Sequence, residues 1–285
     1  MKLDSHVHVT GHEVIVKLRD AAAAEGVTHY VAILNDLSLI EHLDKAGARG
    51  IPFYRLKEPL APVKTHDPES RVAGYKLHLR HPITKSKDGE TLSISEKHMG
   101  GICDRAARLG RPLLFHTDAD RPEICSLPML AELAECHPQT VFIAAHTGVL
   151  TQEYQGSPYE PGVWKTICER TVRQNLKLLC EVENLYADTA LLGRDFPERS
   201  PDPEYKLELF AGVVEGLSPA ERNTLVNKLF VGTDFPCFWE AANEKSGYRY
   251  QIECMRRVFG PDFDVNQMSR NFLNLLPEEI AARYV

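Results

Sequence analysis

Polar and apolar positions along this chain fall into short apolar runs separated by longer amphipathic stretches. Residues 28–34 are almost continuously apolar, the pattern of a parallel strand buried on both faces. Similar runs recur at 51–56, 72–79, 112–117, 141–146, 185–189 and 229–234, and residues 2–9 open the series. The intervals carry apolar residues at helical spacing. Residues 13–25 place Val14, Leu18, Ala21 and Ala22 on one face and stop at Gly26. Further helices are predicted at 36–46 before Gly47, and at 95–109, 122–136, 163–179, 204–229 (with a break near Ser218-Pro219) and 248–259. The stretch 57–71 holds three prolines and no clean period, so the third helix is expected to be short or replaced by a loop. Alternating strands and helices imply right-handed βαβ units and a parallel sheet. Eight such units fit an α/β fold, a closed (β/α)8 TIM barrel of about 250 residues, with the chain from Asp264 onward forming extra C-terminal helix. No repeat or linker interrupts the pattern, so residues 1–285 are expected to form a single domain.

Composition narrows the partners. The chain has 43% hydrophobic and 26% charged residues, enough to bury a sizeable core. A formal net charge of −7 argues against nucleic acid and against an anionic membrane surface. An anionic small molecule stays compatible, because charge within a cleft decides that. No apolar run is long enough to span a bilayer, and no basic-then-apolar leader precedes the first strand. Seven scattered cysteines without a C-x-x-C pair suggest reduced thiols. The expectation is a cytoplasmic protein acting on a small-molecule substrate, with homo-oligomerisation left open.

The candidate chemistry starts in the first strand, Asp4-Ser5-His6-Val7-His8-Val9. Strict alternation puts Asp4, His6 and His8 on one face and Leu3, Val7 and Val9 on the other. Two imidazoles and a carboxylate are poor core filling, since their polar atoms resist burial without partners. A divalent cation held by the imidazole nitrogens removes that penalty. In a (β/α)8 barrel the active site lies at the C-terminal ends of the strands. Further strands close there on Gly74-Tyr75-Lys76-Leu77-His78, on Phe115-His116-Thr117, on Ala145-His146-Thr147-Gly148 and on Gly232-Thr233-Asp234-Phe235-Pro236. Five strands ending on ionisable residues form a convergent set.

That ordered set resembles the amidohydrolase superfamily, and more narrowly the amidohydrolase-related metal-dependent barrels, which include decarboxylases of the aminocarboxymuconate-semialdehyde type. The resemblance runs from residue 2 to about residue 276. It implies that His6, His8, His116 and Asp234 ligate a catalytic divalent cation. It also implies that His146 either ligates a second ion or contacts the substrate and the attacking water. A cation with one open coordination position would lower the pKa of water bound there from about 15.7 toward about 7, and Asp234 would carry the proton from water to the leaving group. In some superfamily members a lysine on the fourth strand carries CO2 as a carbamate that bridges two metals. Lys76 stands at that position. The plainer reading keeps it an ammonium, paired with Asp4 or with an acidic group of the substrate, and favours one ion over two. Zinc is the default for such nitrogen and oxygen donors.

The pocket rim is expected from loops after the strands. His78, Arg80, Arg194 and Trp239 are the candidate substrate contacts beside Lys76, with Tyr154, Tyr159, Trp164, Cys237 and Phe238 as possible walls. Aromatic walls with an arginine suit a planar or carboxylated molecule. The leading expectation is a metal-dependent hydrolase of an ester, lactone or amide, with Asp234, His146 and Lys76 as catalytic residues. A non-oxidative decarboxylase on the same scaffold is the second reading. A barrel that binds metal or ligand without turnover is the third.

Overall fold

The computed structural model describes residues 1–56, 71–77, 84–85, 91–92, 96–116, 127–148, 161–190, 192, 205–236 and 247–285. Eight strands run β1 (Leu3–Val9), β2 (His29–Leu34), β3 (Arg49–Leu56), β4 (Gly74–Leu77), β5 (Leu113–Phe115), β6 (Phe142–Ala144), β7 (Leu185–Asp188) and β8 (Leu229–Phe230). They pair in that order, each parallel to the next. The sheet closes because the first strand also meets the last. Ser5 N donates to Val231 O at 2.8 Å, Asp234 N to His6 O at 2.9 Å and His8 N to Phe235 O at 2.8 Å. The fold is the expected (β/α)8 barrel.

Alternation along the strands sorts side chains into two layers. Val31, Ile33, Ile51, Phe53, Leu114, Ile143 and Phe230 point inward and fill the barrel. Tyr30, Ala32, Leu34, Leu77, Phe115, Phe142 and Leu185 point outward against the helices. The N-terminal end of the barrel is sealed by Phe272, Leu273, Leu276 and Ile280 from the C-terminal segment. Phe272 packs edge-on against Phe230, with ring centroids 5.2 Å apart, and Ser269 Oγ accepts from Leu3 N at 3.1 Å. An apolar, plugged lower half leaves polar side chains only one place to gather, the C-terminal ends of the strands.

The surrounding helices are α1 (His12–Glu25), α2 (Glu96–Leu109), α3 (Leu127–Cys136), α4 (Pro161–Glu181), α5 (Tyr205–Glu215), α6 (Pro219–Lys228), α7 (Tyr248–Phe259), α8 (Val265–Leu273) and α9 (Glu278–Ala281). The expected break near Ser218-Pro219 is a capping box, in which Ser218 and Glu221 satisfy each other's amides before α6. The helix expected at 36–46 keeps its place and ends but is a 3-10 helix, Leu37–Ala46. The Tyr30 hydroxyl takes the Leu43 carbonyl at 2.7 Å, so Gly47 N turns to Asp44 O at 3.3 Å and the last turn tightens. Among the described residues no disulfide occurs, and no helix is long and apolar enough to cross a membrane.

The face expected for the first strand needs correction. Pairing between β1 and β2 shifts between Asp4 and Val7, so β1 carries an extra residue there. Leu3 therefore belongs to the inner layer, whereas Val7 and Val9 belong to the outer one. A bulge resets the phase of alternation, and Asp4 parts from the two histidines.

Candidate metal centre

The mouth of the barrel is built from β1, β8 and the ends of β5, β6 and β7. His6 and His8 follow the bulge. Their Nε2 atoms lie 3.2 Å apart, and Asp234 Oδ1 stands 3.3 Å from the first and 3.1 Å from the second. Asp234 adopts a left-handed backbone at φ 62°, a conformation that a non-glycine residue holds only when its surroundings impose it. The restraints are its amide on His6 O and the preceding Thr233, whose amide and hydroxyl both donate to Asp4, at 3.0 and 2.6 Å. Asp4 Oδ1 also accepts from His6 N at 3.1 Å. Burial pushes the Asp4 carboxyl up to about 7, against these bonds. Gly232 is needed here, since a Cβ on it would lie 3.0 Å from His6 Cβ and 3.1 Å from Ser5 Oγ.

A second group adjoins the first. His146 and Thr147, just past β6, are also left-handed, at φ 63° and 52°. The His146 ring stacks on His6 with centroids 5.0 Å apart and meets His116 edge-on at the same separation. His146 Nε2 lies 3.2 Å from His116 Nδ1, and its Nδ1 lies 3.3 Å from Ala190 O. Four imidazoles thus run in a row, His8, His6, His146 and His116. Behind them Asp188 ends β7 fully buried. Its Oδ2 is 2.7 Å from His6 Nδ1, and its Oδ1 accepts from His146 N at 2.8 Å and from Ala190 N at 3.1 Å.

Electrostatics fit a cation-seeking site. Burial lowers the pKa of His6 and, more strongly, of His146, which favours the neutral form of both imidazoles. Burial works against the charge of Asp188 and Asp234, but the facing imidazoles outweigh it and hold both carboxyls below the usual range. Lys76 in β4 is fully buried, and among the described residues its Nζ has no hydrogen-bond partner. Burial brings it down to about 8, opposed by the nearby charges of Asp188 and Asp234. Gly74, two residues before it, leaves room for the Phe53 ring, which a Cβ there would meet at 2.4 Å.

The expected residues therefore separate into three sets. His6, His8 and Asp234 converge on one point. His146 and His116 lie beside them, paired with each other, and Lys76 lies beneath. Among the described residues, two trios have donor atoms mutually within 4.8 Å, His6–His8–Asp234 and His6–His146–Asp188, and His116 is in neither. His78, Arg80, Arg194 and Trp239 lie outside the described residues, as do Tyr154, Tyr159, Cys237, Phe238 and the Trp164 side chain. Asp188 is the residue that sequence reasoning missed. Its signal was the same as that of its neighbours, an acid closing an apolar strand, in Ala187-Asp188-Thr189.

The first trio passes a direct test for a metal. Two ligands about 2.0–2.1 Å from zinc at a tetrahedral angle stand about 3.3 Å apart. The three separations here are 3.1, 3.2 and 3.3 Å. Two imidazoles and a carboxylate are the donors such an ion takes, and a partly exposed His8 leaves one side open.

No protein-family model matches the sequence, and neither does any curated protein. Solved structures do match. An amidohydrolase from Burkholderia multivorans with bound zinc aligns with 99% of this chain and 98% of its own, at TM-score 0.55 and 14% identity. A 2,6-dihydroxybenzoate decarboxylase from Rhizobium aligns over 96% and 98%, at TM-score 0.57 and 13% identity. A dihydroorotase from Campylobacter jejuni aligns over 96% and 82%, at TM-score 0.55 and 17% identity. The likeness is one of fold, a (β/α)8 barrel that this chain shares with these proteins. On this barrel the His/Asp cluster occupies the strand ends at which barrel enzymes place their chemistry.

Proposed function

We propose that this protein is a metal-dependent hydrolase of a small organic substrate, acting on an ester, lactone or amide bond in the cytoplasm. The observation that carries the proposal is the His6–His8–Asp234 trio, with donors spaced as the ligands of one tetrahedral ion. These three residues would hold a divalent cation, zinc first among those suited to such donors, with His116 and His146 beside it. Bound there, the cation supplies Lewis acidity and makes water a nucleophile at neutral pH.

The chain's own groups do the rest. Asp234, ionised and at the mouth, takes a proton from the attacking water and returns it to the leaving group. His146, held by Asp188 and faced by His116, presents a neutral imidazole to the reacting centre. Lys76 sets a positive potential beneath the site, suited to a substrate with an anionic group. An unmodified ammonium there favours a single ion. The same buried cation favours a second reading, non-oxidative decarboxylation, in which it holds the departing carboxylate.

The test is a paired assay of chelated and zinc-, manganese- or cobalt-reconstituted protein. Panels of lactones, esters and amides are scored for net water addition, and aromatic acids for CO2 release. Metal-restored hydrolysis is expected; CO2 release without hydrolysis selects the decarboxylase. Full turnover after exhaustive chelation overturns both.

A further inference from the structure

We infer that Asp188 is a positioning residue that fixes the tautomer of His6 and so makes it a metal donor, an inference that rests on the proposed metal-dependent function. The Asp188 carboxylate meets three donors among the described residues. Oδ1 takes two backbone amides, those of His146 and Ala190, at 2.8 and 3.1 Å. Those two bonds lock the plane of the group. Oδ2 is left facing His6 Nδ1 at 2.7 Å, a charge-assisted distance that requires the proton on Nδ1. In a neutral imidazole a proton on one nitrogen leaves a lone pair on the other. His6 Nε2 therefore offers its lone pair to the point shared with His8 Nε2 and Asp234 Oδ1, 3.2 and 3.3 Å away. Three of the roughly four acceptor positions of Asp188 are thus engaged, two by amides and one by an imidazole, which suits it to hold His6 in place.

The isosteric amide exposes this role. In Asp188→Asn the amide oxygen must stay at the Oδ1 position, where two N–H groups point at it. The NH2 group is then forced against His6 Nδ1, which can meet it only as an acceptor. The proton moves to Nε2 and is aimed at Asp234 Oδ1, and the metal donor is lost while the backbone bonds remain.

Two readouts test this. Long-range 1H–15N spectra of histidine-labelled, chelated wild-type protein should show His6, identified by the signal missing in His6→Gln, protonated at Nδ1. Asp188→Asn should show it protonated at Nε2, with zinc affinity 10–100-fold weaker by competition titration, the loss typical of removing such a partner. A wild-type His6 already protonated at Nε2 overturns the inference without any variant. So does a folded Asp188→Asn protein that binds zinc as tightly as wild type. Failure of wild-type protein to bind zinc, manganese or cobalt would sink the metal function alone, and the spectra would still decide what Asp188 does.

Discussion

Thr233 donates twice to Asp4, through its amide to Oδ1 at 3.0 Å and through its hydroxyl to Oδ2 at 2.6 Å. The residue before one proposed ligand thus grips the residue two before another. Asp4→Ala strands the amides of His6 and Thr233 in a buried setting, and each unsatisfied group costs about 1–3 kcal/mol. Urea unfolding of the chelated protein should show a loss of about 2–6 kcal/mol. Asp4→Asn keeps the oxygen that both amides need, so its midpoint should stay much nearer to wild type.

Lys76 carries a pH signature. Its folded pKa of about 8 lies below the free value of 10.5, so the unfolded chain binds more protons between those limits. Stability of the chelated protein should therefore rise with pH across that window, and the penalty is fully present below pH 8. The shift corresponds to roughly 3 kcal/mol, an order-of-magnitude figure. Chelated Lys76→Met should be more stable than wild type at pH 7, and the difference should shrink as pH climbs from 8 toward 10. A difference that does not change with pH would show that the side chain is not a buried ammonium.

Metal loading should stabilise the fold through the trio. At a free zinc concentration 100 times its Kd, unfolding should cost about 2.7 kcal/mol more than in chelator. His6→Ala and Asp234→Ala should lose most of that gain, and a substitution of exposed Val16 should keep it. Thermal melts with and without zinc measure the effect.

Overpacking checks the inner layer. A methyl group on Gly74 would meet the Phe53 ring at 2.4 Å, so Gly74→Ala should cost about 1–3 kcal/mol. Combining it with Phe53→Leu should recover part of the loss, because the collision, not the backbone, is at fault.

The barrel was legible in the sequence because both layers are written as alternation: Val31 and Ile33 inward, Tyr30 and Ala32 outward. His116, His146 and Asp234 could be read as a group because each follows an apolar strand whose end is fixed by the fold, and His6 and His8 because they alternate within the first strand. Two features escaped. The bulge between Asp4 and Val7 leaves no composition signal, yet it moves Leu3 and Asp4 to the opposite faces from those alternation assigns. The left-handed turns at His146 and Asp234 rest on tertiary hydrogen bonds, to Asp188 and to His6 O, that no local pattern announces. Asp188 closes its strand as an acid, like the other site residues, but its contacts with the His6 ring and the His146 amide are set by tertiary packing.

The seam that closes the barrel joins the first strand to the last, and the proposed ion sits on that seam, with His6 and His8 on one side and Asp234 on the other. A growing polypeptide emerging from the ribosome would display both histidines long before the aspartate existed. Cation capture by the complete trio is accordingly a late step in biogenesis, and an ion once seated works as a latch on the finished ring.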